Sequence, residues 1–326
     1  MKAIQLQAFG APAEVVKLVD IPDPGAPGPD EIVIALEASP INNTDFLIIA
    51  GRYGVLPPLP AILGVEGVGR VVAVGRDVKT LKEGDRTLVP VMQPAWAERI
   101  KLKADWLRPL PEADVGQLSM LGINPATAYL LLTDIVPLKP GDWVIQNGAN
   151  SAVGRAVIAV AKSLGIRTVN VVRRPELVED VKALGGDVVL VDGPDLPKQI
   201  AAETGKARIS LAIDMVADSA TMNLMNSIAY EGTTVLYSAS SQKPLLGSGL
   251  QLIFNNQSIR GFWLINWWKT ATPERLAAMY GRLAPMIASG AITAPIAATY
   301  GFEQFPEALA AAAKRQGKVI LKPTLA

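Results

Sequence analysis

Residues 143–174, WVIQNGANSAVGRAVIAVAKSLGIRTVNVVRR, run from an apolar stretch through a small-residue turn and an amphipathic stretch to a second apolar run and two arginines. The chemistry open to parts in that order is the binding of a phosphorylated dinucleotide. Residues 143–146 read as a strand entered through the turn formers Lys139-Pro140-Gly141-Asp142. Val153, Ala156, Val157, Val160, Ala161 and Leu164 then recur at the spacing of one buried helix face, and Gly165 closes the helix. Between strand and helix, residues 147–154 are small or amide-bearing. Backbone N–H groups at the helix start can therefore approach a pyrophosphate and set its charge at the positive end of the helix dipole.

Only Gly148 and Gly154 are glycine in this loop, with Ser151 and Ala152 where glycine often stands, so the glycine pattern alone is weak. The end of the next strand, 168–172, strengthens it. An acid there suits the ribose 2′-hydroxyl of NAD, whereas an arginine suits a 2′-phosphate. Arg173 and Arg174 occupy the place, which predicts NADP(H). The alternative for such a pair is a solvated basic turn.

The 326 residues suffice for two domains, half of them are hydrophobic, and 31 basic against 30 acidic residues leave a net charge of +1. Neither nucleic acid nor an anionic membrane is therefore an expected partner. No run of 18 apolar residues predicts a membrane span. The opening KAIQLQAF is strand-like, without the basic and apolar pattern of a leader, which predicts a cytoplasmic enzyme. Cys and His are both absent. That excludes the usual zinc sites, so no metal is expected, and it excludes disulfides, cysteine nucleophiles and Ser-His-Asp relays. Catalysis must draw on Tyr, Lys, carboxylates, amides, a cofactor or water.

Up to about residue 111, β-rich runs at 3–8, 15–19, 31–38, 69–74, 86–90 and 97–102 alternate with Pro/Gly turns, predicting a small, largely antiparallel barrel-like unit. From 115 the texture changes. A helical run at 118–134 precedes the strand–turn–helix, and further strands at 187–192, 209–215, 233–238 and 258–264 alternate with helices at 175–184 and 219–229. This predicts an α/β doubly wound parallel sheet. The tail from 273 carries two helices around an extended 298–300, the second across the Ala-rich 308–313, and a last strand at 318–322 that rejoins the first domain. The expected domains are 1–120, 121–266 and 267–326, the outer two forming one body.

Six dispersed stretches, SPINNTD at 39–45, LGVEGVG at 63–69, INPATAY at 123–129, VIQNGANSAVG at 144–154, TVNVVR at 168–173 and LIFNNQSIRGFWL at 252–264, resemble the medium-chain dehydrogenase/reductase superfamily. Within it they are most similar to the zinc-free trans-2-enoyl-thioester reductases, over essentially the whole chain. The resemblance implies a chaperonin-10-like β-barrel beside a Rossmann domain. It implies NADPH-dependent reduction of the C=C bond of 2-enoyl thioesters in fatty-acid metabolism. Zinc-dependent members commonly have Cys where this chain has Asn42 and Gly-His-Glu where it has Gly64-Val65-Glu66. Glu66 and Asp45 are expected as buried, hydrogen-bonded structural acids.

Carried over residue by residue, the resemblance implies that Tyr53 in Gly51-Arg52-Tyr53-Gly54 is the catalytic tyrosine. Read from the residues, Tyr53 is as consistent with a packing anchor. Implied cofactor contacts are Asn124; Asn150, Ser151, Ala152, Val153 and Gly154 in the loop; Arg173 and Arg174; Tyr237, Ser238, Ala239 and Ser240; Phe262, Trp263 and Leu264; and Lys318. Phe262, Trp263, Trp267 and Trp268 could wall an acyl pocket or simply fill a core or subunit interface. The superfamily's last Rossmann strand commonly pairs across a homodimer, which is expected here. Without a metal, hydride addition to the β-carbon of a conjugated alkene is the easiest reduction, with charge moving to the carbonyl oxygen and a proton then reaching the α-carbon. Two other functions stay open: a quinone or small-enone reductase, and a non-catalytic, crystallin-like NADPH-binding protein.

Overall fold

The computed structural model describes residues 1–324, which divide into two compact units. The first comprises Met1–Ile123 and the chain from Thr270 onward; the second is Asn124–Lys269.

In the first unit, Glu31–Ile41 is the organising strand, because its eleven residues are long enough to take antiparallel partners along their length. Gly67–Val74, Arg99–Lys103 and Lys318–Lys322 all pair with it antiparallel. Arg86–Val89 extends the sheet on one side and Ile296–Gly301, parallel to Lys318–Lys322, on the other. A smaller sheet joins Val16–Asp20, Lys2–Leu6 and Ala61–Ile62. The strand at the chain's end is therefore built into the unit that the first residues begin, with Val319 opposite Ile41.

The second unit is one parallel sheet of six strands: Trp143–Asn147, Arg167–Val172, Val188–Val191, Ile209–Asp214, Thr233–Leu236 and Ser258–Gly261. In space their chain order runs third, second, first, fourth, fifth, sixth, which is the doubly wound Rossmann order. Both faces are covered, so the strands read as apolar runs rather than alternating ones. Ile145, Val169, Val171, Leu196 and Ile209 pack on one side, and Ile158, Val172, Val181 and Val189 on the other. Arg167 lies over the Trp143 ring at 4.0 Å, covering the start of the central strand.

Several expected elements are revised. The helical run 118–134 is two helices, Val115–Ser119 and Asn124–Thr133. Pro125 forces the break, since it fits only a first turn, where its missing N–H costs nothing. The strand expected over 258–264 stops at Gly261, and Leu264–Thr270 is a helix. Phe262 still donates its N–H to Leu236 O at 2.7 Å, after which the aromatic run, β-like in composition, turns away. Helices at Asn43–Ile49, Leu196–Glu203 and Gly249–Phe254 have no counterpart in the sequence reading.

Candidate active site

The reversal of strand order lies between Trp143–Asn147 and Ile209–Asp214, the point at which open α/β sheets take their ligands. Two glycines shape the turn leaving Trp143–Asn147. Gly148 has φ +60°, and a Cβ there would stand 2.6 Å from Met215 Sδ; one on Gly154 would stand 2.6 Å from Ala149 O. Neither position admits a side chain, and the backbone is drawn tight at the start of the helix Ala152–Ser163. Ser151 caps that helix, its hydroxyl accepting from Gly154 N at 3.1 Å. Ala152 and Val153 follow as its first two residues, with amides that an α-helix leaves without an internal partner. Asn150 is exposed and its carbonyl accepts from Arg155 Nε at 3.2 Å.

Buried amides hold this turn in place. Gln146 Nε2 donates to Gly154 O at 3.0 Å and to Asn170 Oδ1 at 2.8 Å, while Asn170 Nδ2 donates to Thr168 Oγ1 and Val188 O. The turn is thereby fixed to the two strands beside it. On the other side of the reversal, Asn147 Nδ2 donates to Asp214 Oδ1, and Met215 N donates to Asn147 Oδ1, both at 2.7 Å. Asp214 is wholly buried and also accepts from Val216 N, Ala217 N and Thr221 Oγ1. The sequence reading missed it. Its only local signal is an acid closing an apolar run.

The run 237–240 continues beyond Thr233–Leu236 by backbone pairing, Tyr237 N to Asp214 O and Ser240 N to Met215 O. Ser238 is half-buried and Ala239 exposed. The Tyr237 hydroxyl is hydrogen-bonded to the Ser151 side chain; burial pushes its pKa up, the Ser151 bond opposes this and Asp214 adds to it. Arg173 and Arg174 follow the strand Arg167–Val172 directly and are exposed, with Arg174 Nε 3.0 Å from Glu176 Oε1. The Asn124 side chain brings a buried Nδ2 that has no hydrogen-bond partner among the described residues. Such a donor costs free energy unless something accepts from it. A glycine-drawn turn, a capped helix start, two arginines at the next strand end and an orphaned amide donor together fit a phosphorylated dinucleotide.

Trp263 and Phe262 are half-buried and Leu264 is buried. Lys269 Nζ stands 5.7 Å from the Trp263 ring centre, and Trp267 Nε1 donates to Asp134 Oδ2 at 2.8 Å. The Trp267 indole N–H is thus engaged by an exposed acid.

In the first unit, Tyr53 is half-buried in the loop after the helix Asn43–Ile49. Gly51, with φ +68°, ends that helix: its N–H bonds Ile48 O and the Arg52 N–H bonds Leu47 O. This paired closure turns the chain sharply and delivers Tyr53 one residue later. At the other end of the helix, Asn42 N donates to Asp45 Oδ2 at 2.7 Å, and Asn42 Nδ2 donates to Glu66 Oε1 at 2.8 Å. Lys318 Nζ donates to Asn42 Oδ1, so the structure places Lys318 on a side chain of the first unit. Burial pushes the Asp45 carboxyl up to about 7, the Glu66 charge adding to the effect and the Asn42 N–H opposing it. Burial likewise lifts Glu66 to about 7, against Lys318 and the donors Asn42, Ile123 and Gly122. Lys318 is lowered by burial, with both acids resisting.

A Rossmann unit with an anion cradle, in one chain with a mainly antiparallel unit that closes on its own last strand, defines a nucleotide-dependent dehydrogenase or reductase. Family models agree: residues 28–112 match the alcohol dehydrogenase GroES-like domain and residues 152–280 the zinc-binding dehydrogenase. The chain is 36% identical over 325 residues to the mitochondrial enoyl-[acyl-carrier-protein] reductase of Rattus norvegicus, covering 96% of this chain and 86% of the relative. Among solved structures, the complex of Etr1p with NADP and crotonyl-CoA superposes with a TM-score of 0.86 at 25% identity, covering 98% of this chain and 99% of that one. A mycobacterial quinone oxidoreductase superposes with a TM-score of 0.86 at 27% identity, covering 99% and 100%. The chain belongs to the medium-chain dehydrogenase/reductase superfamily and, within it, to the enoyl reductase family.

The relatives correct one expectation. Those from rat, mouse, human and Arabidopsis thaliana are all named as mitochondrial proteins, which points to mitochondria rather than the cytoplasm. The cytoplasmic expectation rested on the composition of the opening residues alone.

Proposed function

We propose that the protein is an NADPH-dependent reductase of the C=C bond of 2-enoyl thioesters. The observation that carries this reading is the cradle at the strand-order reversal, followed at the next strand end by Arg173 and Arg174. The substrate class is supported by relatives named enoyl-[acyl-carrier-protein] reductase and by a neighbour solved with crotonyl-CoA.

NADPH, when bound, supplies the hydride that reaches the β-carbon. The chain's own residues bind, orient and protonate. The amides of Ala152 and Val153 receive the pyrophosphate, Ser151 caps the helix on Gly154 N, Gly154 lets the backbone come close, and the guanidinium groups of Arg173 and Arg174 take the 2′-phosphate. Asn124 Nδ2 donates to an acceptor of the cofactor. Ser238, Ala239, Ser240, Phe262, Trp263 and Leu264 complete the contacts. Tyr53 donates a hydrogen bond to the carbonyl oxygen on which negative charge develops, or relays a proton from water to the α-carbon.

A second copy of the chain pairs with the outer edge of the sheet. Ser258–Gly261 is one of the two edge strands of the six, and the helix Gly249–Phe254 that precedes it in the chain exposes Leu250, Ile253 and Phe254 at 68%, 73% and 72%. Apolar exposure of this size and an unpaired strand edge favour association.

The test is NADPH oxidation with crotonyl-CoA, set against quinones and small enones at equal enzyme. The similarity to a quinone oxidoreductase makes quinones the sharpest competitor. Turnover of the thioester is the expected result; rapid quinone reduction without it would favour the quinone reading, and tight NADPH binding without oxidation by any acceptor the non-catalytic one.

A further inference from the structure

We propose that Lys318 is a positioning residue, which through the Asn42 amide and the Glu66 carboxylate fixes the start of the helix Asn43–Ile49 and so the segment that delivers Tyr53. The proposal rests on the reading of Tyr53 as part of the catalytic machinery.

The geometry is that of an amide set between opposite charges. Lys318 Nζ donates to Asn42 Oδ1, while Asn42 Nδ2 donates to Glu66 Oε1 at 2.8 Å. The two bonds leave Asn42 one orientation. Glu66 is itself fixed: its Oε2 accepts from Ile123 N at 2.8 Å, and its backbone oxygen accepts from Ser39 Oγ at 2.6 Å. Ser39 in turn accepts from the buried Trp96 Nε1 at 3.0 Å. Lys318 opens the strand Lys318–Lys322, whose next residue, Val319, lies opposite Ile41. The chain's end thus holds the residue immediately before the helix.

Charge explains why a lysine is required. Asn42 and Glu66 are 6% and 0% exposed, and a carboxylate at such depth is tolerated only with a compensating cation or several donors. Asp45 is also wholly buried, but its second oxygen, Oδ1, has no hydrogen-bond partner among the described residues. Glu66, with donors on both oxygens, is therefore the better site for the negative charge, and Asp45 the better site for a proton. Lys318 then balances Glu66, and the cluster is neutral. Two further polar groups border it: the Tyr280 hydroxyl donates to Gly122 O at 2.8 Å, and Arg315 donates to Asn43 Oδ1 at 3.2 Å.

Lys318→Met removes the ammonium at nearly constant length, and Lys318→Arg retains the charge. Both are made in the full chain and compared with Lys318→Met combined with Glu66→Gln. Lys318→Met should raise hydrogen exchange of the amides of residues 43–53 by about tenfold or more, the equivalent of one lost charge-assisted hydrogen bond. It should lower kcat on crotonyl-CoA while the NADPH dissociation constant stays within about twofold. Lys318→Arg should restore most of the protection, and the double variant should recover part of it because no charge is left uncompensated. If Lys318→Met does not fold, Lys318→Gln and Glu66→Gln carry the same comparison. A weakened NADPH affinity with unchanged exchange at 43–53 would make Lys318 a cofactor ligand and overturn the proposal. Unchanged exchange with unchanged kcat would overturn it too. If the wild-type protein reduces no enoyl thioester, the proposed substrate falls, whereas the exchange measurement still decides the role of Lys318.

Discussion

Asn147 and Asp214, 67 residues apart, close on each other at 2.7 Å at the point where the strand order reverses. The amide spends its oxygen on Met215 N and its nitrogen on the carboxylate, so one side chain ties together the ends of two parallel strands. The turn that leaves Asn147 and the loop that leaves Asp214 are fixed relative to each other before any ligand arrives.

Asn147→Ala should therefore cost about 2 kcal/mol of stability, because it leaves Met215 N and one acceptor position on Asp214 Oδ1 unmatched in a buried site. Urea unfolding measures the loss. NADPH affinity should weaken in the folded variant, since the turn is no longer anchored on that side. A stability within ~0.5 kcal/mol of wild type would show that the bond contributes little.

The arginine pair sets cofactor choice. Replacing both Arg173 and Arg174 with Ala should lower kcat/KM with NADPH by roughly 10- to 100-fold, the range for losing charge-assisted bonds to a phosphate, and leave the NADH value nearly unchanged. Steady-state kinetics with the two cofactors give the ratio. An unchanged ratio would return the pair to the status of a solvated turn, to which the ion pair of Arg174 with Glu176 already contributes.

Asp45 gives the protein a pH-dependent stability of definite sign. Burial lifts its carboxyl in the folded state to about 7 from 3.8. The folded protein therefore keeps a proton that the unfolded chain releases. This contribution is complete below the unfolded value and disappears as pH rises through the folded one. Between pH 6 and pH 8 the unfolding free energy should fall by about 1.5 kcal/mol on this account. Glu66, lifted by burial to about 7 as well, adds a slope of the same sign, so Asp45→Asn, which keeps an acceptor for Asn42 N, should remove only the share of Asp45. An unaltered slope in chemical denaturation at the two pH values would assign it to other groups.

Association should depend on the apolar helix that precedes the edge strand. Ile253→Glu places a charge on a side chain that is 73% exposed, where the isolated chain has no reason to object. Light scattering should show the wild-type protein as a dimer and the variant as a monomer at micromolar concentration. A monomeric wild type, or a dimer indifferent to the change, would locate the interface elsewhere.

Local patterns carried most of the fold. The strand, turn and helix of residues 143–164 were legible because Val153, Ala156, Val157 and Val160 repeat at helical spacing and the apolar run before them is short. The following strands were legible because both faces of the sheet are buried. The polar framework was not, since Asn147 with Asp214, Gln146 with Asn170, and Lys318 with Asn42 are separated by 67, 24 and 276 residues. Contacts at such separations have no period. The family resemblance implies a cofactor contact for Lys318, and the structure shows one bond of its amine, to Asn42 Oδ1. The helix Asn43–Ile49 escaped notice because it is seven residues long and its cap is Asn42, engaged mainly with distant groups.

Tyr53→Phe removes one hydroxyl and leaves the ring. If the phenol donates to the developing oxyanion, kcat on an enoyl thioester should fall by about 10²- to 10³-fold, the usual loss for one such donor, with little change in KM. Near-wild-type turnover would make Tyr53 a packing residue.

The most direct measurement is the rate of NADPH oxidation by the wild-type protein with crotonyl-CoA, beside the rate with a quinone at the same enzyme concentration. The account predicts that kcat/KM for the thioester exceeds that for the quinone and that butyryl-CoA accumulates in step with NADP formed. Rapid quinone reduction with no butyryl-CoA would contradict it.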